Sequence, residues 1–277
     1  MKILITGGDG HLAKQISSLL HGYQVASPGK QQLDITEPRS VEKWAQQFKP
    51  ELIIHSAAIT DVNYCEQNPE QAFLVNTYGT INLVNHNPHS RFIFISTDYV
   101  FDGEKDSPYH EYDLTNPLSV YGKSKLAAEN FIQSRSRAYI IIRTSWLFNS
   151  AADFLTKIAG KIRLGKTIEI IGNQWGNPTM NWDLAEAVLN LVDCTYTGTV
   201  NITNTGTTTW FDIARYYIDQ KNIKNVELVN ISIDDYPHQA PRPKYSALSS
   251  NLFKHIFKYK LPDWKTSILK HKEFNID

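Results

Sequence analysis

The sequence predicts an α/β protein: a doubly wound parallel sheet with a smaller lobe toward the C-terminus. Short apolar runs rich in Ile and Phe alternate with segments of helical spacing, the pattern of crossover units and of strands buried on both faces. A glycine turn follows the first of these runs and opens the first helix. After Trp146 the alternation loosens, and from about residue 204 Pro and aromatic residues become frequent.

The first strand is "KILIT" (2–6), followed by "GGDG" and the helix "HLAKQISSLL". "YQVAS" (23–27) is the second strand, and Ser40 is placed to cap the helix "VEKWAQQFK". "LIIHSAA" (52–58), "RFIFIST" (91–97) and "AYIIIRTSW" (138–146) read as further buried strands. Asn68-Pro69 opens a helix through "PEQAFLVNTYGTINLVNH", and "NPLSVYGKSKLAAE" (116–129) leads into another. Next come a helix in "FLTKIAGKIRLG" ending at Gly165 and a strand in "TIEII" (167–171). Asn181 is expected to cap "WDLAEAVLNLV", "GTVNIT" (198–203) returns a strand, and Thr209 caps "WFDIARYYIDQ". The expected division gives 1–146 and 176–203 to the sheet domain, and 147–175 and 204–277 to a smaller lobe made of two pieces of chain.

Length 277 supports one large domain or a domain with a companion. Lys+Arg and Asp+Glu number 28 each, and a formal net charge of zero argues against nucleic acid or an anionic membrane as partner. Cys65 and Cys194 lack metal-like spacing, so no disulfide framework and no metal site are expected, and a reducing, cytoplasmic setting fits. "MKILITGGDG" does not read as a signal peptide, and no apolar run approaches the ~20 residues of a membrane span.

Gly7 and Gly10, with Ala13, form G-x-x-G-x-x-A in "ILITGGDGHLA". Glycines there permit a tight turn and close backbone approach, and the following helix offers unpaired N–H groups and a positive dipole end to a pyrophosphate. The strand–turn–helix context identifies the first domain as dinucleotide-binding, a Rossmann-type sheet. The second strand carries no acid at its end: Ala26, Ser27 and then Lys30 follow. With no carboxylate to repel a 2′-phosphate, NADPH is expected, with NADH as the alternative; Lys30 either attracts the phosphate or is a solvated loop lysine.

Tyr121 and Lys125 are four residues apart on one helix, so they share a face. An ammonium beside a phenol favours the phenolate. A tyrosine lowered from its usual ~10 could protonate a carbonyl oxygen as hydride reaches the carbon. Taken alone, the pair reads better as one tyrosine and one lysine on a solvated helix face; the remainder of the chain decides.

Those segments, with "STDYVFDG" (96–103), "SAAIT", "RTSW", "GTTTWFD" (206–212) and "RPKYS" (242–246), resemble the dTDP-4-dehydrorhamnose reductases, members of the extended short-chain dehydrogenase/reductase superfamily. The matching motifs span residues 1 to about 250. Ala13 departs from the usual third glycine, and Ile59 stands where the family often has a polar or aromatic residue. The resemblance implies hydride transfer to C4 of a dTDP-4-keto-6-deoxy sugar, giving dTDP-L-rhamnose for a cell-surface polysaccharide precursor. It implies that Thr97 hydrogen-bonds the reacting oxygen, Tyr121 protonates it, and Lys125 holds the nicotinamide ribose and lowers the Tyr121 pKa. Gly10, His11 and Leu12 would face the pyrophosphate, and Asp34 and Ile35 would line the adenine. Ala57, Ala58, Ile59 and Thr60 would pass the bridge between the two nucleosides. Asp98 and Trp146 would contact the sugar, although a turn cap and a core aromatic are the alternatives. Arg242, between two prolines, is either a surface residue or the cation for the substrate diphosphate. A homodimer is expected by the same resemblance.

Two rivals come from the same fold. A nucleotide-sugar 4,6-dehydratase typically carries Asp-Glu after Ser-Thr, since eliminating water needs an acid and a base; here the pair is Asp98-Tyr99. An epimerase has no reason to carry "GTTTWFD" and "RPKYS". A rival of another class is a non-catalytic NADP-binding regulatory protein, against which the intact Thr97, Tyr121 and Lys125 set speaks.

Overall fold

The computed structural model describes residues 1–149, 153–165, 167–236 and 240–274. The elements of the first half are β1 (Lys2–Thr6), α1 (His11–Leu19), β2 (Gln24–Ala26), α2 (Pro38–Phe48), β3 (Leu52–His55), α3 (Val62–Gln67), α4 (Pro69–Phe73), α5 (Gly79–His86), β4 (Arg91–Thr97), α6 (Val120–Arg135) and β5 (Tyr139–Thr144). Then follow β6 (Leu147–Phe148), α7 (Phe154–Arg163), β7 (Ile168–Ile171), β8 (Trp175–Gly176), β9 (Thr179–Met180), α8 (Asn181–Val192) and β10 (Gly198–Asn201). The chain closes with β11 (Thr208–Thr209), α9 (Trp210–Gln220), β12 (Leu228–Ile231), α10 (Asn251–Phe257) and α11 (Trp264–Ile268).

Six parallel strands form the main sheet in the order β10-β5-β4-β3-β1-β2. The chain winds from β1 outward to β2, then crosses to β3 on the other side. The crevice beyond the carboxyl ends of β1 and β3 is therefore the switch point where such sheets bind ligands. Alternate residues explain the unbroken apolar strands. Ile3, Ile5, Ile54, Ile93 and Ile142 pack on α1 and α8 on one face. Leu4, Ile53, Phe92, Phe94 and Ile141 pack with Val41, Leu83 and Ile132 on the other.

The smaller lobe has its own core of Leu155, Ile158, Ile168, Ile213, Tyr217 and Trp264, joined by Trp146 and Phe148. Its β7 pairs with β12 in parallel. Phe253 and Leu261, which the sequence reading put in this lobe, are buried in the main sheet's core instead. Among the described residues no helix is long and apolar enough to cross a membrane.

Several boundaries differ from the sequence reading for local reasons. Helix α2 starts at Pro38 with Glu37 as its cap, because proline suits the first helical turn; Ser40 Oγ instead accepts from the Asp34 amide at 3.2 Å. Asn181 is the first residue of α8 and Met180 its cap. The helix opened at Pro69 carries a π-helical turn at Leu74–Tyr78 between α4 and α5. Thr209 caps α9 as expected, accepting from the Asp212 amide at 3.1 Å.

Candidate active site

The glycine turn is built by close packing. Gly7 has φ +73°, and a Cβ there would come within 2.9 Å of Ala57 Cα. One on Gly8 would lie 2.1 Å from the Ser27 carbonyl oxygen. Gly10 caps α1 without a side-chain hydrogen bond, so the first-turn amides of His11, Leu12 and Ala13 face outward with no partner inside the helix. No acidic side chain occupies that turn. The arrangement fits an anionic pyrophosphate.

Helix α6 brings the Tyr–Lys pair to the end of β4. Ser119 caps it, accepting from the Gly122 amide at 3.2 Å. Gly122 lets it press against the turn after β4: a Cβ there would stand 2.2 Å from the Tyr99 carbonyl oxygen. Farther along α6, buried Glu129 accepts from Arg143 of β5 at 2.7 Å and from Ser96 at 2.5 Å, which sets the helix's rotation on the sheet. Tyr121 and Thr97 consequently line the same cavity. Thr97 Oγ1 donates to Asp98 Oδ1 at 3.1 Å and accepts from the Tyr99 amide at 3.2 Å.

The electrostatics correct one expectation. Lys125 was expected to lower the Tyr121 pKa; burial instead pushes the phenol well above its ordinary value. Lys125 Nζ donates to the Ile95 carbonyl at 2.7 Å and lies 4.0 Å from the Phe94 ring centroid. Burial also draws its ammonium down to about 7, against the opposing pull of Glu129. The desolvation that makes phenolate costly makes ammonium costly too.

One cavity, of about 510 Å³, gathers most of the sequence candidates: Gly7, Gly10, His11, Leu12, Ala58, Thr60, Thr97, Asp98, Tyr121, Lys125 and Trp146 all line it. Three buried polar atoms of its lining residues, Thr144 Oγ1, Trp146 Nε1 and Asn181 Oδ1, have no hydrogen-bond partner. Such atoms are costly when unmet and suit a polar ligand. Trp146 is held in a left-handed conformation, φ +41°. Its ring stacks on Trp210 at 3.9 Å, and Gly176 lies against the indole.

Other candidates sit apart. Ile35 is a core residue whose side chain packs against Gly79. Ala57 abuts Gly7. Ile59 is pinned at both backbone groups by Asn76 of the π-helical turn, at 2.8 and 3.0 Å. Asp34 belongs to a separate cavity with Asp9, Gly29 and Lys30. No acid follows β2 in sequence, but in that cavity the Asp9 carboxylate from the glycine turn stands beside the loop, accepting from the Lys30 amide at 3.1 Å.

Arg242 opens onto a neighbouring cavity of about 410 Å³ with Lys157, Lys161, Gln174 and Trp210. Its guanidinium donates to the Tyr99 hydroxyl and to Asn63 Oδ1, each at 3.1 Å. Tyr99 lines both cavities, and the Trp146–Trp210 stack joins their walls. Asn63, Asn76, Tyr99, Lys157 and Lys161 escaped the sequence reading. Only Tyr99, lying inside "STDYVFDG", carried a local signal.

The chain matches the family described as RmlD substrate binding domain over residues 1–273. It is 35% identical to a dTDP-4-dehydrorhamnose reductase of Aggregatibacter actinomycetemcomitans, covering 96% of this chain and 97% of that one. The crystal structure of a dTDP-4-dehydrorhamnose reductase from Clostridium acetobutylicum superposes with a TM-score of 0.93 at 35% identity over 99% of both chains. One from Bacillus anthracis in complex with NADP superposes with a TM-score of 0.92 at 32% identity over 98% of both.

Proposed function

Since this chain belongs to the RmlD substrate binding domain family, and its matched relatives include dTDP-4-dehydrorhamnose reductases, we propose that it reduces the C4 ketone of dTDP-4-dehydro-L-rhamnose to dTDP-L-rhamnose. The observation that carries the proposal is the convergence of Thr97, Tyr121 and Lys125 in one cavity with the free N-terminus of α1. A reduced nicotinamide dinucleotide, when bound, supplies the hydride. The α1 amides would hold its pyrophosphate, and Ala58 and Thr60 would lie beside it in the cavity. Both NADPH and NADH are within the proposal.

At the ketone, Thr97 Oγ1 and the Tyr121 hydroxyl bind the C4 oxygen, and Tyr121 delivers its proton as the oxygen becomes an alkoxide. A phenol held protonated by burial is in the right state to act as that acid. Lys125, anchored on Ile95, holds the nicotinamide ribose beside it. Asp98 and Trp146 face the sugar, and Arg242 with Lys157 and Lys161 supplies cations for the substrate diphosphate. A homodimer in the cytoplasm belongs to the same proposal; light scattering tests the dimer.

The test is cofactor oxidation with dTDP-4-dehydro-L-rhamnose, with the product identified by NMR. Cofactor binding without turnover would favour a regulatory protein, and turnover to the opposite C4 configuration would assign a different 4-ketoreductase.

A further inference from the structure

The adenosine end of the dinucleotide can be located from the sheet order. The pyrophosphate belongs at α1, after β1, and the chemistry lies toward β4. The other half of the cofactor must then extend the opposite way, over the loop that follows β2. That loop is where the Asp9 carboxylate stands. A Cβ on Gly29 would lie 2.3 and 2.5 Å from its two oxygens, and the Lys30 amide donates to Oδ2. Asp9 directly precedes Gly10, the cap of α1, so its position is tied to the pyrophosphate site. Lys30, the one cation among the residues lining this corner, also interacts with the charge on Asp34. Lys30 reaches Asp9 only through its backbone amide, so two carboxylates stand with one ammonium among the residues lining this corner, which carry a net negative charge.

We propose that Asp9 sets cofactor choice: its carboxylate accepts the 2′-hydroxyl of the adenosine ribose and repels a 2′-phosphate, so the chain prefers NADH to NADPH. The inference rests on the dinucleotide reading of the site. It replaces the acid usually found at the end of the second strand with one supplied by the glycine turn. Asp9 is exposed, so the repulsion is screened by salt.

Calorimetric titration of the intact chain and of Asp9→Asn and Asp9→Ser tests it, with NADH against NADPH and with AMP against adenosine 2′,5′-bisphosphate as half-cofactor probes. The parent should bind the dinucleotide and the probe lacking the 2′-phosphate more tightly. Both variants should shift the Kd ratio toward the phosphorylated partner by roughly tenfold or more, the scale of one near repulsion at a protein surface. The parent's preference should also shrink as salt rises. A parent that binds NADPH as tightly as NADH, or a ratio unchanged in both variants, overturns the inference. Binding of neither dinucleotide overturns it together with the dinucleotide reading. The expected Kd ratios without turnover of the dTDP-sugar would uphold it and remove only the sugar assignment.

Discussion

Ser246 Oγ donates to Asp98 Oδ2 at 2.5 Å across 148 positions of sequence. That bond ties "RPKYS" to the end of β4, next to Thr97. Close packing reinforces it: a Cβ on Gly103 would come within 2.7 Å of Pro243 Cβ, and Gln174 donates to the Pro243 carbonyl at 3.3 Å. The segment bearing Arg242 is therefore held against the end of β4, and the two cavities are built as neighbours.

The buried Asp98 makes stability pH-dependent. Burial raises its carboxyl from 3.8 to about 7, against the opposing hydrogen bonds from Ser246 and Thr97. Between those values the folded chain keeps a proton that the unfolded chain has released, so this residue's contribution falls as pH rises through the window. Asp98→Asn cannot ionise. Its stability relative to the parent should climb from about pH 4 to about pH 7, by on the order of 4 kcal/mol for a shift of this size. Denaturant melts across that range check it; a constant difference would show that Asp98 is not held protonated by the fold.

Tyr121→Phe keeps the ring and its edge-on contact with Tyr99 at 5.8 Å but removes the proton donor. Turnover should fall by roughly 10²–10⁴, the value of a positioned acid, while cofactor affinity stays near that of the parent. Steady-state rates with parallel cofactor titrations decide it, and near-normal kcat would sink the assignment.

Arg242→Ala should raise KM for the dTDP-sugar far more than it lowers kcat, because a contact made equally in ground and transition states acts through binding. KM for the cofactor should scarcely move. If the cofactor weakens and the sugar does not, the diphosphate is held elsewhere.

Gly176→Ala would place a methyl 2.5 Å from Trp146 Cε2. The indole must move off Trp210, at an overpacking cost of about 1–3 kcal/mol. A higher KM for the sugar together with a lower melting temperature is expected; a crystal structure with the stack intact would refute this account.

The parallel sheet and its glycine turn were legible because their signals are local. A strand buried on both faces reads as an apolar run, and a helix opened by glycine declares itself within a few residues. The meeting of Thr97, Tyr121 and Lys125 in one cavity was legible for the same reason: each sits in a short motif, and four positions on a helix settle a shared face. Helix caps were less so, since Pro38 and Ser40 both compete for one start.

Tertiary structure alone decided the environments. Nothing local in "GGDG" says that Asp9 meets Lys30, or in "RPKYS" that Ser246 meets Asp98 and Arg242 meets Tyr99 and Asn63. Those contacts follow from strand order and lobe packing. Nor could spacing give the protonation state of the Tyr–Lys pair, because it is set by burial, a property of the whole fold: proximity along a helix favours the ion pair, but removal from water disfavours both ions at once.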